Sequence, residues 1–382
     1  MVDYMQYFTE RQASMVATLR ELAAFESPST SKTHVDLLGE HVAGMCRAIG
    51  GEVTTIPREA VGDVRVAQWN ANAPGKPIML LGHLDTVWPV GTLADMPIRE
   101  EDGILYGPGV IDMKGSLTLA LEAIRCLHTH DALPPHPIWF FFNSDEETGS
   151  VYTRDLIKDW AGRAGLVLVL EPATPEGAIK IWRKGIGRYT LRITGRAAHS
   201  GFAPEEGINA LIEAAHQSLA IHALNDLRNG TSVSVTQLSG GMAINVIPPS
   251  AEMTMDLRYL KASEGERVDA ALRDLVPVLP GAQIELGGGI DRGPMEYDAQ
   301  MERVFGQAQQ LAAKLGFELH GDGSGGASDG NFTAAMGIPT LDGMGPAGRG
   351  LHAADEQVFI TSMPRRAALL AIILAEWDMA AV

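Results

Sequence analysis

Apolar residues recur at Met5, Phe8, Met15, Leu19 and Leu22, and again at Leu38, Val42, Met45 and Ile49, the spacing of one helix face. Gly50 and Gly51 stop the second run, so the pattern predicts two N-terminal helices. Beyond them short apolar runs alternate with helical periodicity: a strand over 78–81, a helix over 116–127, a strand over 138–142, a helix near 153–160 and a strand over 166–170. Strands that are apolar throughout must be covered on both faces. The pattern therefore predicts an α/β fold, a mostly parallel sheet with helices on both sides.

After Pro172 the rhythm changes to strand 189–193, helix 208–221, strands 232–236 and 252–257, helix 264–275 and strand 283–286. This β-α-β-β-α-β order is the ferredoxin-like split unit, and it predicts an inserted α+β domain over 183–294. The first domain, 1–182, resumes at 295–382 with a helix over 301–315, a short strand over 339–341 and a closing helix over 364–377. At 382 residues two domains are also the expectation from a prior of roughly 100 to 200 residues each.

Composition narrows the chemistry. The chain is 46% hydrophobic and 20% charged, too apolar for disorder. Its net charge of -17 and the lack of a basic patch argue against nucleic-acid and membrane partners. The opening residues carry Asp3, Glu10 and Arg11 in place of a signal's apolar stretch, and no run of about 18 apolar residues follows, so a cytoplasmic location is expected. With only Cys46 and Cys126, any metal site must use His and carboxylates.

Such residues collect at strand ends. Leu81-Gly82-His83-Leu84-Asp85-Thr86 closes the first parallel strand, where open α/β sheets bind ligands. His83 suits a metal ligand whose other ring nitrogen is held by Asp85, although a plain polar turn would look the same. Asp112, in Gly107-Pro108-Gly109-Val110-Ile111-Asp112-Met113-Lys114-Gly115, could cap the following helix or bridge two cations. Asp145-Glu146-Glu147 directly follows the run Ile138-Trp139-Phe140-Phe141-Phe142. Adjacent carboxylates repel, and a cation relieves that repulsion; a solvated acidic turn is the alternative. Glu171-Pro172 puts a third acid at a strand end, while His199 and His352 lie in Gly-containing loops. His83, Asp112, Glu147, Glu171 and His352 together form an N/O donor set without thiolate, suited to two Zn2+ about 3.5 to 4 Å apart, or Mn2+ or Co2+ in their place.

These residues resemble the di-zinc metallopeptidases that include glutamate carboxypeptidase, aminoacylase, acetylornithine deacetylase and succinyl-diaminopimelate desuccinylase. The likeness rests on H-x-D at His83, G-P-G…D-M-K-G at Asp112, D-E-E-T-G at Asp145, E-P at Glu171, H-S-G at His199, N-V-I-P at Asn245, D-L-R at Asp256 and the late His352. It is greatest with the glutamate carboxypeptidase branch. The resemblance implies a di-zinc exopeptidase fold in which Asp112 bridges the metals, His83 and Glu171 complete one site, and Glu147 and His352 complete the other. It makes Glu146 the general base, drawing a proton from a metal-bridging water, with Asp85 behind His83, and makes the Asp112-Met113 bond a candidate for the cis form. It further implies a homodimer joined through the inserted, lid-like domain. His199 and Asn245 would stabilise the oxyanion in the partner subunit's site, and Arg258 would grip the carboxylate of a small-molecule substrate.

The sequence departs from the glutamate-specific relatives at one point, where Gly293 precedes Pro294 and Arg292 is displaced by one position. Lys180, Arg183 and Lys184 are other sources of positive charge. The expected activity is cleavage of the amide bond to a C-terminal amino acid; the alternative is N-acyl amino acid deacylation. A remote third reading is a serine hydrolase at Ser328, since Gly326-Ala327-Ser328-Asp329-Gly330 matches G-x-S-x-G, but no apolar strand precedes it as a nucleophile elbow requires.

Overall fold

Strands Ile78–His83, Ile138–Asn143 and Leu166–Val169 are buried at every position, as continuous apolar runs require. They pair in parallel, with Ile78 opposite both Ile138 and Leu166, and Thr340–Leu341 adds a further parallel strand beside Leu166–Val169. The computed structural model describes residues 2–381. Two strands outside the predicted set extend the sheet to six: Val64–Trp69 pairs antiparallel with Ile138–Asn143, and Glu52–Ile56 pairs antiparallel with Val64–Trp69. Alternate positions along the strands share a face. Met79, Leu81, Trp139, Phe141, Val167 and Val169 thus pack with Ile157 and Ala161 of helix Arg154–Ala161 on one side. Helix Gly115–Thr129 lies on the sheet and against Met363–Glu376, both buried along most of their length.

The expectation of two N-terminal helices is corrected to three, Tyr4–Glu10, Gln12–Ala23 and Lys32–Ala48. The apolar periodicity runs through Arg11, but the backbone leaves helical geometry there, and the guanidinium pairs with buried Glu122 at 2.9 Å. A small antiparallel sheet was also not predicted. Its strands, Arg99–Glu101, Ile104–Tyr106, Gly348–Arg349 and Gln357–Phe359, are each two or three residues long, below the reach of periodicity. It matters for the site, because it sets the loop carrying His352 beside the segment leading to Asp112.

The chain enters a second compact unit at Trp182 and leaves it at Glu296, and residues 324–327 also join it. Its sheet runs in the order Ser232–Gly240, Ser250–Tyr259, Gly185–Thr194, Gln283–Arg292, antiparallel throughout. Helices Ala210–His222 and Ala262–Arg273 cover it, so the split β-α-β-β-α-β order is present. Asn209 caps the first of these helices by accepting from the backbone N–H groups of Leu211 and Ile212 at 3.0 and 3.2 Å. Tyr189, Leu191, Met253, Met255, Leu257 and Val268 build this unit's core. Among the described residues no helix is long and apolar enough to cross a membrane.

Candidate metal centre

His83 is the last residue of its strand and is 2% exposed. Its Nδ1 lies 2.9 Å from the carbonyl oxygen of Asp85; a carbonyl can only accept, so Nδ1 carries a proton. That turns Nε2 toward Asp112 Oδ1 at 3.1 Å and Glu171 Oε1 at 3.9 Å. The Asp85 carboxylate, expected to hold the ring, lies farther from it at 3.5 Å. Its oxygens instead accept from the backbone N–H groups of Glu146 and Glu147, each at 3.2 Å, and from the Ser29 hydroxyl at 2.6 Å. Asp85 therefore ties the His83 strand end to the acidic turn.

Asp112 does not cap the helix that follows. Gly115–Thr129 begins at Lys114 with no side-chain cap, and Asp112 faces His83 on one oxygen and His352 Nε2 on the other at 3.4 Å. The Asp112-Met113 peptide is cis. Gly109, at φ 70°, must be glycine on two counts, since a Cβ would also meet Thr86 Cγ2 at 2.8 Å. Glu146 and Glu147 open the single 3₁₀ turn Glu146–Thr148, closed by Gly149 at φ 94°. Glu147 Oε2 accepts from His352 Nε2 at 3.0 Å. Its Oε1 is buried with no hydrogen-bond partner. His352, half exposed at φ 60°, follows Gly350 at φ 77°.

Two sets of ligand atoms lie within 4.8 Å of one another: His83, Asp112 and Glu147, and His83, Glu146 and Glu171. The five predicted ligands are thus brought together by three strand ends and two loops. Glu146, read from the sequence as base alone, falls in the second set. Electrostatics follow from crowding acids around two imidazoles. Burial works against the charged form of His83, yet the hydrogen bond to Asp112 and the nearby negative charge of Asp85 hold it well above the usual histidine value. Hydrogen bonds to Asp112 and Glu147 raise His352 to about 10. Asp112 is held well below the carboxylate range, against its burial, by His352 and His83, whereas burial and the neighbouring Asp112 raise Glu147. A pocket this negative attracts cations, and the partnerless Glu147 oxygen and all-N/O donor set fit a divalent metal.

Sequence reasoning missed Glu356 and Trp88. Glu356 is fully buried and accepts from the N–H groups of Gly109, Ile111 and Asp112 and from the Trp88 indole. Burial raises its carboxyl to about 7 against those four bonds. The nearest signal is an acid placed shortly after His352, which a single sequence cannot distinguish from a surface charge.

Ser328 is fully buried; its hydroxyl donates to Asp342 at 2.6 Å and accepts from the Gly330 N–H. A hydroxyl donating to a carboxylate, not to an imidazole, is structural. His199, Asn245 and Arg258 belong to the second unit. The first two share a loop pair, in which Ser200 N–H donates to the Asn245 carbonyl at 3.0 Å and Gly201 N–H to His199 Nδ1 at 3.2 Å. Arg258 Nε donates to Asp256 at 2.8 Å, leaving its Nη groups for other acceptors. Of the alternative cations, Arg183 is buried and donates to the Gly326 carbonyl, and Arg292 is 4% exposed.

Residues 79–376 match the profile described as Peptidase family M20/M25/M40. Carboxypeptidase G2 of Pseudomonas sp. (strain RS-16) is 30% identical over 386 residues, covering 97% of this chain and 91% of that protein. Succinyl-diaminopimelate desuccinylase of Methylococcus capsulatus is 30% identical over 337 residues, 80% of this chain and 85% of its own. Among solved structures, aminopeptidase PepT from Bacillus cereus has the same fold, with a TM-score of 0.81 at 22% identity over 96% of this chain and 98% of that one.

Proposed function

The chain belongs to peptidase family M20/M25/M40, whose metallopeptidases use a dinuclear metal site, and from that premise we propose that it is a zinc-dependent carboxypeptidase of the glutamate carboxypeptidase type. The observation that carries the metal reading is the Glu147 Oε1, buried without a partner among His83, Asp112 and His352. A buried carboxylate oxygen is costly unless something positive meets it. Asp112 faces both imidazoles and would be shared by the two cations, with His83 and Glu171 holding one and Glu147 and His352 the other. Zinc pairs in such donor sets polarise a carbonyl and lower the pKa of water.

Glu146 is the base. Asp85 accepts the backbone N–H of Glu146, which fixes the turn from which its carboxylate takes a proton from the attacking water and returns it to the leaving amine. Its membership of the second ligand set is compatible with that task, since a base must stand beside the water it activates. His199 and Asn245 of a partner subunit stabilise the oxyanion, and the Nη groups of Arg258 hold the substrate carboxylate. The exposed apolar side chains of Phe202, Met242 and Ile244 in the second unit support a homodimer formed through it.

A second reading, N-acyl amino acid deacylation, is favoured by the burial of Arg292 beside Gly293, which leaves that guanidinium poorly placed to meet a side-chain carboxylate, and by the similarity to a desuccinylase. A hydrolysis panel with zinc decides between them. The carboxypeptidase reading expects release of glutamate from aminoacyl-glutamate and folate-like substrates; turnover of N-acetyl or N-succinyl amino acids alone would replace it by the second. Activity that survives a chelator but not phenylmethylsulfonyl fluoride would overturn both.

A further inference from the structure

We propose that Glu356, latched to Trp88, is a positioning residue that sets the three ligand-bearing loops of the metal centre in register; the inference rests on the metal reading above. Four donors converge on one fully buried carboxylate. Oε2 accepts from Trp88 Nε1 at 2.6 Å and from Gly109 N–H at 2.8 Å. Oε1 accepts from Ile111 N–H at 3.0 Å and Asp112 N–H at 3.2 Å. The donors come from separate segments. Trp88 lies on the loop leaving His83, the three amides belong to the loop that delivers Asp112, and Glu356 itself ends the loop that carries His352. The backbone adds two ties, from Glu356 N–H to the Ala353 carbonyl at 2.9 Å and from Gly107 N–H to the Glu356 carbonyl at 3.2 Å.

One of the four donors is the amide of Asp112 itself, so the latch acts on the residue that faces both imidazoles. Three amides aimed at one point form a concave anion nest. Removing the carboxylate leaves buried N–H groups unpaired, and the loop must move to satisfy them. Groups that orient metal ligands in this way change metal affinity by ~10–100-fold on substitution. A role confined to general stability would lower the melting temperature without altering the ligand field.

The test uses the full chain as wild type, Glu356→Gln and Trp88→Phe, loaded with Co2+ for visible absorption and titrated with Zn2+ against a competing chelator. Glu356→Gln is expected to keep its circular dichroism while losing ~10–100-fold in zinc affinity and shifting the Co2+ spectrum. Trp88→Phe removes one donor of four and is expected to fall between it and wild type. Wild-type affinity and spectrum in both variants overturn the proposal and leave the metal reading intact. Should Glu356→Gln fail to fold, Trp88→Phe decides alone, an unchanged spectrum counting against and a shifted one for. A wild-type chain that binds neither metal overturns the metal reading itself.

Discussion

Two glutamates with buried side chains, one in each unit, show how the same group is used in opposite ways. Glu213, in the helix of the second unit, accepts from the backbone N–H groups of Val278 and Leu279 at 3.0 and 2.7 Å and from Gln217 at 2.7 Å. Its ionised form is held below the usual carboxylate value by those donors, despite burial. Glu147 is buried beside Asp112 with one oxygen partnerless, and its value is pushed up. The first carboxylate is finished by the fold; the second is left requiring a cation. Supplying donors from the chain stabilises structure, whereas withholding them reserves the site for a ligand.

The comparison can be broken most sharply at the neighbour of Glu147. Glu146→Gln is expected to reduce turnover by ~10²–10⁴-fold while keeping bound metal, measured by steady-state kinetics alongside metal analysis. Unchanged turnover would remove Glu146 as the base. Glu147→Gln should lose one of the two metal equivalents, with zinc affinity down by at least ~10-fold and a fold that survives by circular dichroism. Glu213→Ala should do the reverse, lowering stability by ~1–3 kcal/mol in urea unfolding because two partly buried backbone N–H groups and the Gln217 amide lose their acceptor, with metal content unchanged. If Glu213→Ala lost metal as well, the contrast between the two acids would collapse.

A smaller effect follows from the imidazoles. Metal needs His83 and His352 neutral, yet in the metal-free chain the surrounding carboxylates favour the protonated form of both, raising His83 above the usual histidine value and His352 to about 10. Zinc binding should therefore release protons, that of His352 among them, and its affinity should climb with pH until His352 deprotonates near 10. Calorimetry in buffers of different ionisation heat reads this directly. In the metal-free chain the sign reverses. A raised His352 contributes stability that is complete below the ordinary histidine value and is lost as pH rises through about 10, a modest term because the ring is half exposed.

The main sheet is legible because its strands are apolar throughout and its helices periodic, so the burial pattern repeats the sequence pattern from Ile78 to Val169. Glu52–Ile56 escapes because an edge strand with three exposed polar positions among five carries no such run. The split order of the second unit reads equally well, since each of its elements is long enough to show a period. The acids and histidines of the candidate site stand out at strand ends, where short-range pattern and chemistry coincide. Glu356 does not, because its meaning comes from three amides and an indole that are distant in the chain.

By itself the sequence determined which segments would be buried and which strand ends would carry acids and imidazoles, because both depend on neighbours a few residues away. Only the tertiary structure decided how those groups are oriented. It set the Asp85 carboxylate on the Glu146–Glu147 turn and left the His83 ring to a carbonyl, and it turned Asp112 away from its helix toward two imidazoles. It also closed the Ser328 hydroxyl on Asp342 and gathered four donors on Glu356. Hydrogen bonds act over about 3 Å whatever the separation along the chain, so their partners are chosen only when the chain has folded.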